Sequence, residues 1–229
     1  MPSRDCARNF NTTQHMKANE VKSKRLIVGI AQFFSTVLSP LLMPTYGVFL
    51  VLWGSFLSSR DTGDRVTILI VFFGITCILP MFFISALQHM GVVKDKRLDH
   101  RKERHYPYIF TLLCYVTACF YLGHVHAPMW FIMFAAGGTL ACLVALIINL
   151  WWKISAHMTG IGGIVALVYL MHVQMLEAFY LLWVFVAVIL LAGCLGSARI
   201  ILKRHDILQV TAGAALGYCC VTLTMCLFG

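Results

Sequence analysis

The chain has few charged residues, and acidic residues are the scarcest. Of its 229 residues only 12% are charged, with 9 Asp and Glu against 18 Lys and Arg. A soluble domain of this size carries about 25% charged residues, so this shortage argues against an ordinary soluble fold. Hydrophobic residues make up 60% of the chain and form long runs between short charged blocks. This pattern indicates a polytopic membrane protein forming one compact bundle.

Other missing features exclude further classes of protein. The nine cysteines form no C-x-x-C pair and lie mostly in apolar runs, which favours core residues over disulfides or metal ligands. Residues 1–25 are polar and basic and lack an apolar core, so they predict a tail and not a signal peptide. The net charge of +9 comes from short blocks beside apolar runs. With no soluble domain to carry a groove, we expect no nucleic-acid partner.

The apolar runs predict an all-α bundle of six or seven transmembrane helices, forming a single domain over residues 26–229. The first run, 26–56, is too long for one span and contains Pro40 and Pro44. It is therefore expected to be kinked, broken or re-entrant. Glycines at 160, 162, 163, 213 and 217 predict close helix packing. The other predicted spans are 66–90, 108–122, 129–152, 155–172, 178–199 and 207–228.

Three polar clusters interrupt the runs, at residues 94–104, 153–157 and 198–209. They follow the second, fourth and sixth predicted spans, so they would lie on one membrane face and could converge there. Sixteen of the 18 Lys and Arg lie on that side, and only Arg60 and Arg65 on the other. The positive-inside rule then predicts that this face is cytoplasmic.

The last cluster carries Arg199, His205 and Gln209. An Arg can hold two phosphate oxygens, and a neutral His beside it could attack phosphorus. We expect His205 to open the seventh helix, which would place Gln209 on the same face to orient the imidazole. Alternatively, the cluster is an interfacial loop facing lipid headgroups.

The middle cluster reads Lys153, Ile154, Ser155, Ala156, His157. At the start of a helix, the backbone N–H groups of Ser155 and Ala156 could bind an anion. His157 could protonate a leaving oxygen. Alternatively, Ser155 is a simple helix N-cap.

The first cluster contains six cations in 11 residues, 94–104. Within it Arg97, Arg101, Lys102 and Arg104 compete for the role of a phosphate clamp. The same run could instead be a solvated segment attracted to anionic lipid.

Together the clusters resemble the motifs of the type 2 phosphatidic acid phosphatase superfamily, K-x6-R-P, P-S-G-H and S-R-x5-H-x3-D. Arg97-x6-Arg104 resembles the first motif, with Arg for Lys and the proline displaced to Pro107. Residues 154–157 (I-S-A-H) resemble the second, and residues 198–209 (A-R-x5-H-x3-Q) resemble the third. The resemblance covers about residues 90–217 and extends to the divergent multispan members of Bacteroides-type bacteria.

The resemblance implies a lipid phosphatase that needs neither metal nor cofactor. Arg97, Arg104 and Arg199 would hold the phosphoryl oxygens of a phosphate monoester or diphosphate on a phospholipid or isoprenoid. His205 would form a phosphohistidine, and His157 would protonate the leaving alkoxide. The implied partners are the lipid phosphate and membrane lipids. The implied location is the bacterial inner membrane, with the site on the cytoplasmic side.

One departure from the family motif affects the reaction directly. The final Asp of the motif orients the nucleophilic His and stabilises its cation, whereas Gln209 can accept the ring N–H but carries no charge. Asp206 would lie about 100° around a helix from His205 and is expected to be a poor substitute. Asp99 or Glu103 could supply the charge instead.

Two other functions remain open at this point. One is a non-catalytic binder or transporter of anions or lipid phosphates on the same fold. The other is a prenyl or phosphatidyl transferase, which would require Mg²⁺. The headgroup, the lipid tail and the oligomeric state do not follow from the sequence.

Overall fold

The computed structural model describes residues 22–91, 105–174 and 179–228. Across these ranges the chain is all-α and contains no strand, which confirms the predicted fold class. A short 3₁₀ turn, Phe56–Ser59, follows the second helix. The helices are α1 (22–37), α2 (Met43–Gly54), α3 (Thr62–Phe73), α4 (Leu79–His89), α5 (His105–His124), α6 (Met129–Ile148), α7 (Ala156–Gln174), α8 (Phe179–Ile201) and α9 (Ile207–Phe228).

Among the described residues, six helices are long and apolar enough to cross a membrane. The first of them joins α3 and α4 into one helix of 28 residues, Thr62–His89. Its middle is a π-helical turn, Gly74–Ile78, where the Leu79 N–H bonds to the Gly74 carbonyl. Pro80 comes after Leu79 and has no N–H to donate to the preceding turn. The wider π-helical turn accommodates this missing hydrogen bond. The other five spans are α5 to α9.

The first apolar run is broken at its prolines, as predicted. Residues 38–42, which include Pro40, are not helical and separate α1 from α2. With only 12 residues, α2 is too short to cross a bilayer alone. On α1, Leu26, Ile30 and Phe33 form an exposed apolar stripe, whereas Ala31 faces the protein and is buried. The stripe is suited to contact with lipid.

Several predicted boundaries were wrong by about a turn. The second span, for example, was predicted from residue 66, but its helix starts at Thr62. Residues 22–25 already belong to helix α1, although they were predicted to be part of the tail 1–25, and residues 1–21 lie outside the described ranges. The fourth span was predicted to reach residue 152, but α6 ends at Ile148 with Asn149 as its C-cap. The chain turns through 149–152 because it must reverse direction to enter α7, and this leaves Trp151 exposed at the boundary.

Helix α7 is the centre of the bundle. Over its most apolar 18 residues, 56% are buried, against 28–39% in the other five spans. Two apolar clusters meet on it: one packs α7 against α2, α5 and α6, and the other packs it against α8 and α9. The outer helices instead expose large side chains such as Phe82, Phe120 and Leu190. A soluble protein would not leave so much apolar surface exposed. This surface is suited to contact with lipid.

Helices α7 and α9 touch backbone to backbone through glycine. A Cβ on Gly217 would collide with the Thr159 carbonyl, and one on Gly162 would collide with the Ala214 carbonyl. A Cβ on Gly213 would lie 2.7 Å from the Ser155 carbonyl. The predicted close packing of these glycines is therefore confirmed. It holds the first turn of α7 against the first turns of α9.

Gly217→Leu is expected to destabilise the protein, because α7 and α9 cannot separate without opening both apolar clusters. Overpacking of this kind costs about 1–3 kcal/mol. Thermal unfolding of the detergent-solubilised protein measures the effect. The control is Gly193→Leu on α8, where a Cβ meets no atom within 4 Å. Equal unfolding temperatures for the two variants would show that the close contact is not needed.

Candidate functional site

A cavity of about 510 Å³ opens among the helices and has a polar end and an apolar wall. His157, Arg199 and His205 lie at its polar end, although they come from two separate clusters of the sequence. Phe72, Tyr115, Phe134, Ile164 and Val221 line its apolar wall. Val221 lies about 20 Å from the start of α9, because each helical residue advances the chain by about 1.5 Å. The cavity therefore connects an ionic site with the apolar interior.

Arg199 and His205 are brought together by a sharp turn at the end of α8. The Arg204 N–H bonds to the Arg199 carbonyl, and the Lys203 N–H bonds to the Ile200 carbonyl. These two bonds form a Schellman motif, whose turning residue adopts left-handed geometry. Here that residue is Lys203, with φ of 53°. The chain thus reverses over a few residues and returns His205 to the cavity.

His205 precedes α9 and does not open it, so the predicted helical i, i+4 relationship with Gln209 was wrong. Asp206 is the N-cap: its carbonyl accepts from the Val210 N–H, and its carboxylate accepts from the Gln209 N–H at 2.8 Å. The predicted pairing exists nonetheless. Gln209 Oε1 lies 2.8 Å from His205 Nδ1, and His205 is buried, with 7% of its surface exposed.

Asp206 also binds the Gln209 side chain. The amide nitrogen Nε2 of Gln209 donates to Asp206 Oδ2 at 2.9 Å. Asp206 therefore contacts Gln209, the partner of His205, and the expectation that Asp206 is a poor substitute for the family's Asp stays a prediction. A sequence signal existed, since Asp206-x-x-Gln209 has the spacing of a capping box.

Ser35 on α1 completes the polar end, and nothing in the sequence singled it out. Arg199 Nη1 donates to the Ser35 hydroxyl at 2.8 Å. His157 Nε2 lies 3.5 Å from that hydroxyl and 3.1 Å from the Ser35 carbonyl. One oxygen can thus reach both the guanidinium and the imidazole. Since a carbonyl oxygen only accepts, Nε2 of His157 carries a proton in this contact.

The middle cluster contributes to the cavity in part. Ala156 and His157 line it, whereas Lys153 is half-buried in the preceding loop and is not among the lining residues. Ser155 is fully buried beneath α9. Its hydroxyl has no hydrogen-bond partner among the described residues, so it is not a side-chain N-cap there.

Arg97, Arg101 and Arg104 lie outside the described residues, as do Asp99 and Glu103. The helix that follows them, α5, enters the bundle at the cavity, because Pro107 and Tyr108 line it. The predicted clamp role of the first cluster stays a prediction.

Comparisons of the chain with protein-family models, with curated proteins and with solved structures find no match. The likeness to the phosphatase motifs therefore rests on the residues of the three clusters alone.

Lys203→Gly is expected to stabilise the protein by about 0.5–1 kcal/mol, because glycine adopts left-handed geometry without the usual steric cost. The thermal midpoint of the purified protein should rise. Lys203→Ala removes the same charge but keeps the strain, so it serves as the matched control and should show no rise. Equal midpoints for the glycine and alanine variants would contradict the assignment of strain to this turn.

Proposed function

We propose that the protein is a membrane-embedded lipid phosphatase, which hydrolyses a phosphate monoester or diphosphate through a phosphohistidine. The observation that carries the proposal is the convergence of His157, Arg199 and His205 at one end of an apolar cavity. The polar end suits a phosphoryl group, and the apolar wall suits a hydrocarbon tail. A volume of about 510 Å³ falls within the range of small-molecule sites.

The hydrogen bonds of the two histidines support different roles for them. The Nδ1 atom of His205 faces the Gln209 amide oxygen, an acceptor, so the ring proton sits on Nδ1 and the lone pair of the neutral ring on Nε2. His157 instead has its proton on Nε2, against the Ser35 carbonyl. Two-step phosphoryl transfer needs a nucleophile with a free lone pair and a group that can donate a proton to the leaving oxygen. The contacts of His205 and His157 suit them to these two roles.

In the first step, Nε2 of His205 attacks phosphorus. A P–N bond forms as the P–O bond to the lipid breaks, and the lipid alkoxide takes a proton from His157, which enters this step as the imidazolium and leaves it neutral. In the second step, a water oxygen attacks phosphorus and its proton passes to His157. The P–N bond then breaks, and phosphate leaves with both histidines restored. Arg199 holds the phosphoryl oxygens throughout, in the way that it now holds the Ser35 hydroxyl at 2.8 Å.

For the membrane, we propose the bacterial inner membrane with the site on the cytoplasmic side. The distribution of cations supports this orientation. Arg60 and Arg65 lie at the other end of the bundle, where Arg65 stacks on Trp53 with 5.1 Å between its guanidinium carbon and the ring centroid. A cytoplasmic site suits a lipid phosphate made inside the cell.

A non-catalytic binder of lipid phosphate is the second candidate. Its support is the Ser35 hydroxyl, which already lies between Arg199 and His157, together with an amide in place of the family's final Asp. Such a protein would bind the lipid phosphate and release no phosphate.

His157→Ala is expected to lower phosphate release by about 10²- to 10⁴-fold, the usual contribution of a general acid. His205→Ala removes the nucleophile and is expected to lower it by at least as much. The assay measures phosphate released from a panel of lipid phosphates in detergent micelles containing EDTA. The control is His124→Ala, at the far end of α5 and exposed, which should keep wild-type activity. Binding of lipid phosphate without release by the wild type would favour the binder, and release that requires Mg²⁺ would favour a transferase.

A further inference from the structure

Three side chains form a connected line behind the proposed nucleophile. Asp206 Oδ2 accepts from Gln209 Nε2 at 2.9 Å, and Gln209 Oε1 lies 2.8 Å from His205 Nδ1. The other carboxylate oxygen of Asp206 accepts from the Gln209 N–H at 2.8 Å. The Asp206 carboxylate therefore accepts from both the backbone N–H and the side-chain NH₂ of Gln209.

The chemistry of a carboxylate decides the direction of this line. An ionised carboxylate only accepts, whereas an amide side chain can turn over and present either oxygen or nitrogen. With Asp206 on one side, only the nitrogen of Gln209 can face it. The amide oxygen must then face His205, and the proton of that ring must sit on Nδ1.

We propose that Asp206 is a positioning residue for the reaction: through Gln209 it fixes the tautomer of His205 and leaves the nucleophilic lone pair on Nε2. The effect of Asp206 on phosphate release depends on the proposed function, whereas its effect on the His205 tautomer does not. Asp206 and Gln209 together then take the place of the single Asp in the family motif.

Orientation contributes more to this arrangement than charge does. Asp206 is exposed to solvent, and its charge is separated from the ring by the length of the amide, so its attraction for a cationic His205 is screened. The direct hydrogen bond to Gln209 that selects the tautomer is weakened little by this solvent screening. In a triad protease, replacing the orienting Asp by its amide leaves the geometry intact but selects the wrong tautomer.

The first test is Asp206→Asn, which keeps the helix cap because Asn caps as well as Asp. The new amide can present either end, so Gln209 is free to turn over. Nitrogen-15 NMR of histidine-labelled protein, with the His205 signals assigned by difference from His205→Ala, should change from one tautomer to a mixture. Phosphate release should fall with the fraction of the Nδ1–H tautomer that is lost: about 2-fold if the two tautomers are equally populated, and about 10- to 100-fold if the other tautomer dominates.

The second test exchanges the two side-chain types. In the double variant Asp206→Asn with Gln209→Glu, the carboxylate faces His205 directly and the new Asn donates to it. The Nδ1–H tautomer and the phosphate release lost in Asp206→Asn should both return. If Asp206 served only as a helix cap, Asp206→Asn would already keep both the tautomer and the phosphate release, because Asn caps as well as Asp.

Asp61→Asn is the matched control, because Asp61 caps α3 in the same way by accepting from the Gly63 N–H at 2.7 Å. It should leave the His205 tautomer and phosphate release unchanged. An unaltered His205 tautomer in Asp206→Asn would overturn the proposal, whatever the activity. A tautomer that shifts in Asp206→Asn while the wild type releases no phosphate would support the positioning role and reject the phosphatase.

Discussion

The backbone contact between α7 and α9 is the constraint on which the rest of the structure depends. Gly162, Gly213 and Gly217 allow the two helices to touch without intervening side chains. His157 lies in the first turn of α7, and His205 lies two residues before α9. Sliding would bring side chains into these close contacts, and separation would open the two apolar clusters. The ends of both helices are therefore fixed relative to each other. The site is thus set by packing in the apolar layer below it.

A second level of organisation comes from hydrogen bonds that give the two histidines opposite proton arrangements. The Ser35 carbonyl faces Nε2 of His157, and the Gln209 amide oxygen faces Nδ1 of His205. Both partners are acceptors, but they face different ring nitrogens. Two chemically identical side chains in one cavity are thereby suited to different tasks, and the difference arises from their neighbours alone.

The spans and the break at Pro40 could be predicted from the sequence, because the length of an apolar run and the absence of a proline N–H act locally. The convergence of the second and third clusters also followed, since the parity of the spans fixes which ends share a face. The role of Ser35 could not be predicted, because nothing local brings α1 over α7. The turn at Lys203 was not predicted, because its left-handed residue is not a glycine. Because of this turn, His205 precedes α9 and is not part of the helix.

The most direct test of the proposed phosphatase is to locate the phosphate on the protein during the proposed reaction. Rapid quenching with a phosphate-labelled lipid, under alkaline conditions that preserve P–N bonds, followed by peptide mapping, identifies both the residue and the ring nitrogen. If His205 is the nucleophile, phosphate is expected on Nε2 of His205, because the Gln209 amide oxygen faces Nδ1. Phosphate on Nδ1 or on another residue, or steady release with no phosphohistidine, would contradict it.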